Sequence, residues 1–209
     1  MRIAELSRRT GVPIPTIKYY TREGLLPPGE RTGPNQAQYG EAHVRRLKLA
    51  RALVEVGGLS IASAREVLSL MFSTGVSRLD TIGKAQYVMT APRDYTEDEA
   101  WQEAVAEVDR LLEERGWQVK PTNPARRTLA DALATMRRLG QDDFAKVLGS
   151  YADAAERVAG DEVKTLLHRG DLDSIVEGVV IWTAMGDTIL ASLRRLAHEA
   201  ESTRLFGDF

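Results

Sequence analysis

Apolar positions return at three- and four-residue intervals along nearly the whole chain, the period of an α-helix rather than a strand. Ile3 and Leu6 predict a first helix, Ile3–Arg9, facing inward beside Val12 and Ile17, with Thr10-Gly11 as the turn that follows. A second helix starts near Ile14, because Pro13 and Pro15 fall where missing N–H groups cost least. Ile14, Ile17 and Leu25 share one side of it, while Pro15, Thr16, Lys18, Tyr19 and Arg22 fall on the other side or its flanks. Gly24, then Leu25 and Pro27-Pro28, closes it. The stretch Pro27–Tyr39 is too polar and too rich in Gly and Pro for a core element and reads as a loop or short hairpin. Glu41–Val56 resumes the helical pattern with Val44, Leu47, Ala50 and Leu53 or Val54 until Gly57-Gly58. Ser60 caps a further helix, Ile61–Met71.

Beyond Met71 the pattern is less regular. Phe72-Ser73-Thr74-Gly75 breaks it, Arg78–Met89 resumes it, and Ala91-Pro92-Arg93-Asp94 breaks it again. Thr96 with Glu99 forms an expected capping box for a helix Glu97–Arg115, whose Trp101, Ala104, Val108 and Leu111 share a side. Lys120-Pro121-Thr122-Asn123-Pro124 is the clearest boundary in the chain. Helices are then expected over Ala125–Leu139, Asp142–Val158, briefly over Glu162–His168, and from Asp171 to Ser202. In the last, Ile175, Val179, Trp182, Gly186, Ile189, Leu193 and Leu196 alternate at four and three, a seam for another helix of the same bundle or of a second copy. The predicted fold is mainly α: a winged helix-turn-helix with a short β wing over 1–71, connecting and candidate dimerisation helices over 72–120, and an all-α helical bundle for effector binding or dimerisation over 121–209.

Charge sharpens this division. Residues 1–71 hold 11 Lys and Arg against 6 Asp and Glu, while the rest hold 17 against 24, within a net charge of −2. A basic head on an acidic body suits a nucleic-acid-binding domain joined to a sensing or dimerising one. The second helix carries Lys18, Arg22, the Thr16 hydroxyl and the Tyr19 phenol on its outer face, groups that bind phosphate or base edges in a major groove. Arg31, Gln36 and Gln38 of the hairpin are candidates for phosphate or minor-groove contact. The competing reading of both surfaces is an ordinary solvated helix and connector.

Other chemistry finds little support. The chain has no Cys, so disulfides, zinc-thiolate sites, iron–sulfur clusters and thiol sensing are excluded. The three histidines, at 43, 168 and 198, stand in separate segments without metal-ligand spacing. No Gly-rich phosphate loop and no Ser, His and acid order suggests catalysis, so no catalytic residue, metal or cofactor is expected. Hydrophobic residues make up 43% of the chain, but no stretch approaches the roughly 20 apolar residues of a membrane span, and no signal peptide opens it. A soluble cytoplasmic protein, with no membrane partner, is the expectation.

Thr16-Ile17-Lys18-Tyr19-Tyr20, followed by Glu23-Gly24-Leu25-Leu26-Pro27-Pro28, resembles the start of a MerR-type transcriptional regulator, a likeness covering roughly residues 1 to 71. The chain departs from the family at Thr21, where Glu is usual, and at Asn35-Gln36-Ala37-Gln38-Tyr39, where the wing usually reads Gly-Tyr-Arg-x-Tyr. The helical tail is loosely similar in pattern to TetR-type domains. The resemblance implies a homodimer on double-stranded DNA at an inverted-repeat operator, acting with RNA polymerase at the promoter by bending and untwisting the duplex. A pocket for a small organic effector is expected near Trp101, Tyr151, Trp182 and Met185. Two alternatives are a ligand-independent DNA-binding protein and an interaction adaptor with a vestigial helix-turn-helix.

Overall fold

A computed structural model describes residues 1–33, 36–72, 78–90 and 94–207. The wing residues Pro34 and Asn35 and the expected breaks around 73–75 and 91–93 lie outside the described residues. In chain order the elements are α1 (Ile3–Thr10), α2 (Ile14–Arg22), β1 (Glu30–Gly33), β2 (Gln36–Gln38), α3 (Glu41–Arg51), α4 (Ile61–Phe72) and α5 (Arg78–Met89). Then come α6 (Glu99–Glu114), α7 (Pro124–Arg138), α8 (Leu148–Leu167) and α9 (Leu172–Phe206). They form two compact units, one made of residues 1–89 with 169–209 and the other of 90–168.

The first unit is the winged helix-turn-helix with α4, α5 and α9 around it. Leu6, Val12, Ile17, Leu25, Leu26, Leu47, Leu53, Val67, Leu68 and Val180 are fully or almost fully buried in one core. Each such side chain contributes about 1.5–3 kcal/mol by leaving water. Helix α3 does not run unbroken to Val56; it widens into a π-helical turn over Ala52–Val56. There the Thr188 hydroxyl of α9 donates to the Val56 carbonyl at 3.0 Å. Arg45 of α3 pairs with Glu177 of α9, Nε to Oε1 at 3.2 Å.

Helix α9 turns a different face to this core from the one its sequence pattern marks. Val176, Val180 and Ala184 are buried. The seam residues Trp182, Gly186, Ile189, Leu193 and Leu196 stand two positions out of step, about 200° round the helix. Ile189, Leu193 and Leu196 are 57%, 58% and 63% exposed. Contrary to the expectation from the sequence, Ser174–Phe206 is long and apolar enough, by length and composition, to cross a bilayer. Its first half is nevertheless part of the core of a folded unit, through Val176, Val180 and Ala184.

The second unit is built on the α6–α7 hairpin. Trp101, Ala104 and Val108 of α6 pack on Ala130, Leu133 and Ala134 of α7, with Leu148 closing the cluster. The cap of α6 is Asp98 rather than the expected Thr96: its carboxylate accepts from the Trp101 N–H at 3.0 Å and takes a two-point grip from Arg138 at 2.8 and 2.9 Å. Those bonds hold the Asp98 carboxyl at a pKa of about 2, below its ordinary 3.8. Asn123 caps α7, with Pro124 at its first position. Asp142–Val147 is a 3-10 turn rather than the start of an α-helix, and α8 runs on through Gly160 where two separate helices were expected. Without a proline, one glycine costs about 1 kcal/mol and does not end a helix.

Candidate nucleic-acid interface

The turn between α1 and α2 is closed by its own polar groups. Gly11 takes a left-handed φ of +69° and its N–H donates to the Ser7 carbonyl at 2.9 Å. The Ser7 hydroxyl donates to the Val12 carbonyl at 2.7 Å. Thr10 is buried, yet its hydroxyl donates to the Leu6 carbonyl at 2.7 Å and accepts from the Val12 N–H at 3.3 Å. These local bonds set the angle between the two helices, and Arg51 of α3 adds a distant one, from Nη1 to the Gly11 carbonyl at 3.2 Å.

Helix α2 is anchored from beneath. Ile17 is fully buried and Tyr20 is 3% exposed. Burial pushes the Tyr20 phenol above its ordinary pKa. At the C-terminal end, Gly24 has φ +78° and its N–H donates to the Thr21 carbonyl at 3.2 Å. Two arginines from other helices hold the carbonyls just beyond: Arg65 of α4 donates to Glu23 at 3.2 Å and Arg46 of α3 to Leu25 at 2.6 Å. Cations there also complement the helix dipole. Burial lowers the Arg46 pKa, and its guanidinium lies 4.9 Å from the centre of the Phe72 ring.

This anchoring leaves the outer face of α2 open. Pro15, Lys18, Tyr19 and Arg22 are exposed and Thr16 is half-buried, as the 3.6-residue period predicts. Arg22 stacks its guanidinium 5.2 Å from the Tyr19 ring centre and reaches Glu23 only at 3.4 Å.

The wing is the antiparallel pair β1–β2, with Glu30 opposite Gln38, Arg31 opposite Ala37, and an irregularity before Gly33 pairs with Gln36. Arg31, Gln36 and Gln38 are exposed. Partners directly opposite project from the same face of a sheet, so the Arg31 side chain extends over the small Ala37 methyl. Gly29 has no room for a side chain, since a Cβ there would stand 2.7 Å from the Gln38 carbonyl oxygen.

Two contributors escaped the sequence reading. Arg2 donates from Nη2 to the Gln36 amide oxygen at 3.3 Å across 34 residues of chain. His43 is half-buried rather than a free surface group: its Nδ1 accepts from the Gly40 N–H at 3.1 Å and its Nε2 faces the Pro28 carbonyl at 3.5 Å. His43 therefore ties the end of the wing to the start of α3. With Nδ1 accepting, a proton on Nε2 satisfies both contacts.

The cations of the head divide into two groups. Arg8 pairs with Glu5, Arg9 with Glu41, Arg45 with Glu177 and Arg51 with Glu55, while Arg46 and Arg65 serve backbone carbonyls. Lys18 and Arg31 have no such partner among the described residues, and Arg22 and Arg2 are only loosely held. Lys48 on α3 is likewise unpaired there. Apart from Lys48, positive charge outside close ion pairs is thus concentrated on α2 and the wing, where the carboxylate beside it is that of Glu23, 3.4 Å from Arg22.

The four aromatic and thioether residues expected around an effector fall in different units. Trp101 is buried in the second unit, where Tyr151 stands exposed with its ring 5.3 Å from that of Phe144. Trp182 and Met185 lie on α9 in the first unit. The Arg169 guanidinium is 5.2 Å from the Trp182 ring centre, and the Met185 methyl is 3.0 Å from where a Gly57 Cβ would stand. A recess of 150 Å³ in the second unit is lined by Val105, Val108, Asp109, Pro121, Arg126 and Arg127, smaller than the roughly 300 Å³ of ordinary ligand pockets. Among the described residues no three His, Asp or Glu are grouped to hold a metal ion.

Residues 1–70 match the family model described as MerR HTH family regulatory protein. The chain is 45% identical over 47 residues to the HTH-type transcriptional regulator ZntR homolog of Haemophilus influenzae, covering 22% of this chain and 35% of that one. It is 32% identical over 90 residues to the HTH-type transcriptional regulator HmrR of Rhizobium leguminosarum bv. viciae, covering 43% of this chain and 68% of that one. It spans less than half the length of several of the curated relatives it matches. The crystal structure of the proposed transcriptional regulator SCO5550 from Streptomyces coelicolor A3(2) is similar over 100% of this chain and 99% of its own, at 36% identity and a TM-score of 0.73.

Proposed function

The chain belongs to the MerR family of transcriptional regulators, and from that membership we propose that it binds an inverted-repeat promoter operator as a homodimer and distorts the duplex between the half-sites. The α2 face of Pro15, Thr16, Lys18, Tyr19 and Arg22 enters the major groove. Arg31, Gln36 and Gln38 of the wing contact the flanking backbone. The observation that carries this reading is the sorting of charge: carboxylates or backbone carbonyls occupy the arginines that build the head, while among the described residues Lys18 and Arg31 have no such partner and Arg22 is held only at 3.4 Å by Glu23. Bound at the promoter in the cytoplasm, the protein works with RNA polymerase, and the energy stored in the deformed DNA differs between effector-free and effector-bound states.

A small organic effector acts by changing how α9 seats on the head. Met185 and Trp182 of α9 are its candidate contacts in the first unit. Support comes from the close approach of Ala184 and Met185 to Gly57, at the end of the π turn that continues α3. A shift of α9 there reaches the element that follows the wing.

Titration of a duplex selected from genomic fragments tests the DNA reading. Lys18→Ala is expected to weaken binding and to flatten the plot of log affinity against log salt by about 0.9 for each phosphate no longer neutralised. Unchanged affinity and slope overturn it. Melting against a metabolite panel tests the effector, because a ligand bound only by the folded state raises the midpoint.

A further inference from the structure

The amino-terminal segment is stitched to the wing. Tyr39 donates its N–H to the Met1 carbonyl and accepts from the Met1 nitrogen, both at 2.8 Å, the reciprocal pattern of an antiparallel bridge. The bridge fixes the start of the chain beside the end of β2 and leaves Arg2, in extended backbone at φ −84° and ψ 165°, as the last residue before α1. From that point the side chain reaches out along the wing to the Gln36 amide oxygen.

Arg2 differs from the arginines that follow it. Arg8 and Arg9 are each paired with a carboxylate, whereas the one described partner of the exposed Arg2 side chain is a neutral amide. A guanidinium carries five N–H donors in a rigid fork. One bond to an amide oxygen orients that fork without neutralising it, and leaves four donors and the full charge for an anion.

We propose that Arg2 is a DNA-phosphate contact of the wing and that Gln36 is its positioning residue. Gln36 then acts through Arg2 rather than on DNA alone, holding the guanidinium over the strand that also carries Gln38. Together with Arg31, whose side chain shares the other face of the hairpin with Ala37, it gives the wing a cation on each face. This inference rests on the proposed DNA-binding reading and adds a phosphate contact to it.

The test is salt-dependent binding of the full chain to the selected genomic duplex, with Lys18→Ala as reference. Arg2→Ala is expected to weaken binding about tenfold, the worth of one charge-assisted bond. It also reduces the salt slope by about 0.9 for each phosphate that Arg2 neutralises. Gln36→Glu places a carboxylate under the guanidinium and is expected to reduce the slope as Arg2→Ala does, whereas Gln36→Ala weakens binding and keeps the slope. Arg2→Lys keeps the slope with weaker binding, since a point charge replaces the fork. If Lys18→Ala weakens binding while Arg2→Ala and Gln36→Glu leave affinity and slope as in the wild type, the Arg2 contact is overturned and the interface stands. If Lys18→Ala is silent as well, the DNA-binding reading falls and takes the Arg2 contact with it.

Discussion

At Gly24 a single missing Cβ leaves room for Arg65 of α4 beside the end of α2. The residue has φ +78°, and a side chain there would stand 3.2 Å from the Arg65 Cδ whose guanidinium holds the Glu23 carbonyl. Gly24→Ala is therefore expected to cost about 1–2 kcal/mol for the left-handed backbone alone, more if Arg65 is displaced, read as a lower urea midpoint. Asp98 gives a second, pH-dependent signature. Its folded pKa of about 2 lies below the ordinary 3.8, so its stabilising effect is complete above the higher value and disappears as pH falls through the lower. Asp98→Asn, which still caps α6 but lacks the charge, should melt below the wild type at neutral pH and converge with it near pH 2; parallel curves at all pH values would refute the Arg138 grip. Legibility at this scale followed distance along the chain. Lys18, Tyr19 and Arg22 could be placed on an open face because the helical period alone decides it. Arg2 and His43 could not, because their contacts depend on where a hairpin folds back.

Among the elements, α9 is seated on α5, on the π turn that continues α3 and on α4. Val180 is fully buried and Ala184 nearly so, and a Cβ on Gly57 would lie 2.9 Å from the Leu53 carbonyl oxygen, 3.0 Å from the Met185 methyl and 3.3 Å from the Ala184 Cβ. The flexible thioether can move away, but the carbonyl and the Ala184 backbone cannot move independently. Gly57→Ala is accordingly expected to destabilise the first unit by about 1–3 kcal/mol, the usual cost of overpacking, and to increase hydrogen exchange along 176–188. A stable variant with unchanged exchange would show that α9 does not bear on the π turn. Here the sequence pattern led only part of the way. Helix positions were evident from apolar spacing, but nothing in that spacing marks the widening of α3 at Ala52–Val56. In α9 two apolar faces coexist, and the longer, more regular one is not the face the unit buries.

On the scale of the whole molecule, the first unit draws on both ends of the chain, an arrangement that linear punctuation by Pro and Gly does not reveal. Its consequence is that α9 leaves the DNA-binding head carrying an unburied seam. From Trp182 to Phe206 the helix extends about 37 Å, and along its seam Ile189, Leu193 and Leu196 are each more than half exposed. Leaving such residues in water forgoes about 1.5–3 kcal/mol apiece, and a second copy crossing the same stretch offers an identical seam by symmetry. The Leu193→Asp, Leu196→Asp double variant separates this dimer from its alternatives. Both positions are too exposed to support the fold of one chain, so circular dichroism and melting of the monomer should be preserved. Sedimentation should move from twice 23.1 kDa to that mass. Operator affinity should then drop toward that of a single head, because the two half-sites are no longer bound through one linked molecule, while the salt slope per head persists. A variant that stays dimeric assigns the interface elsewhere; a wild type that is monomeric in solution yet partitions to lipid vesicles assigns the seam of α9 to a membrane surface instead.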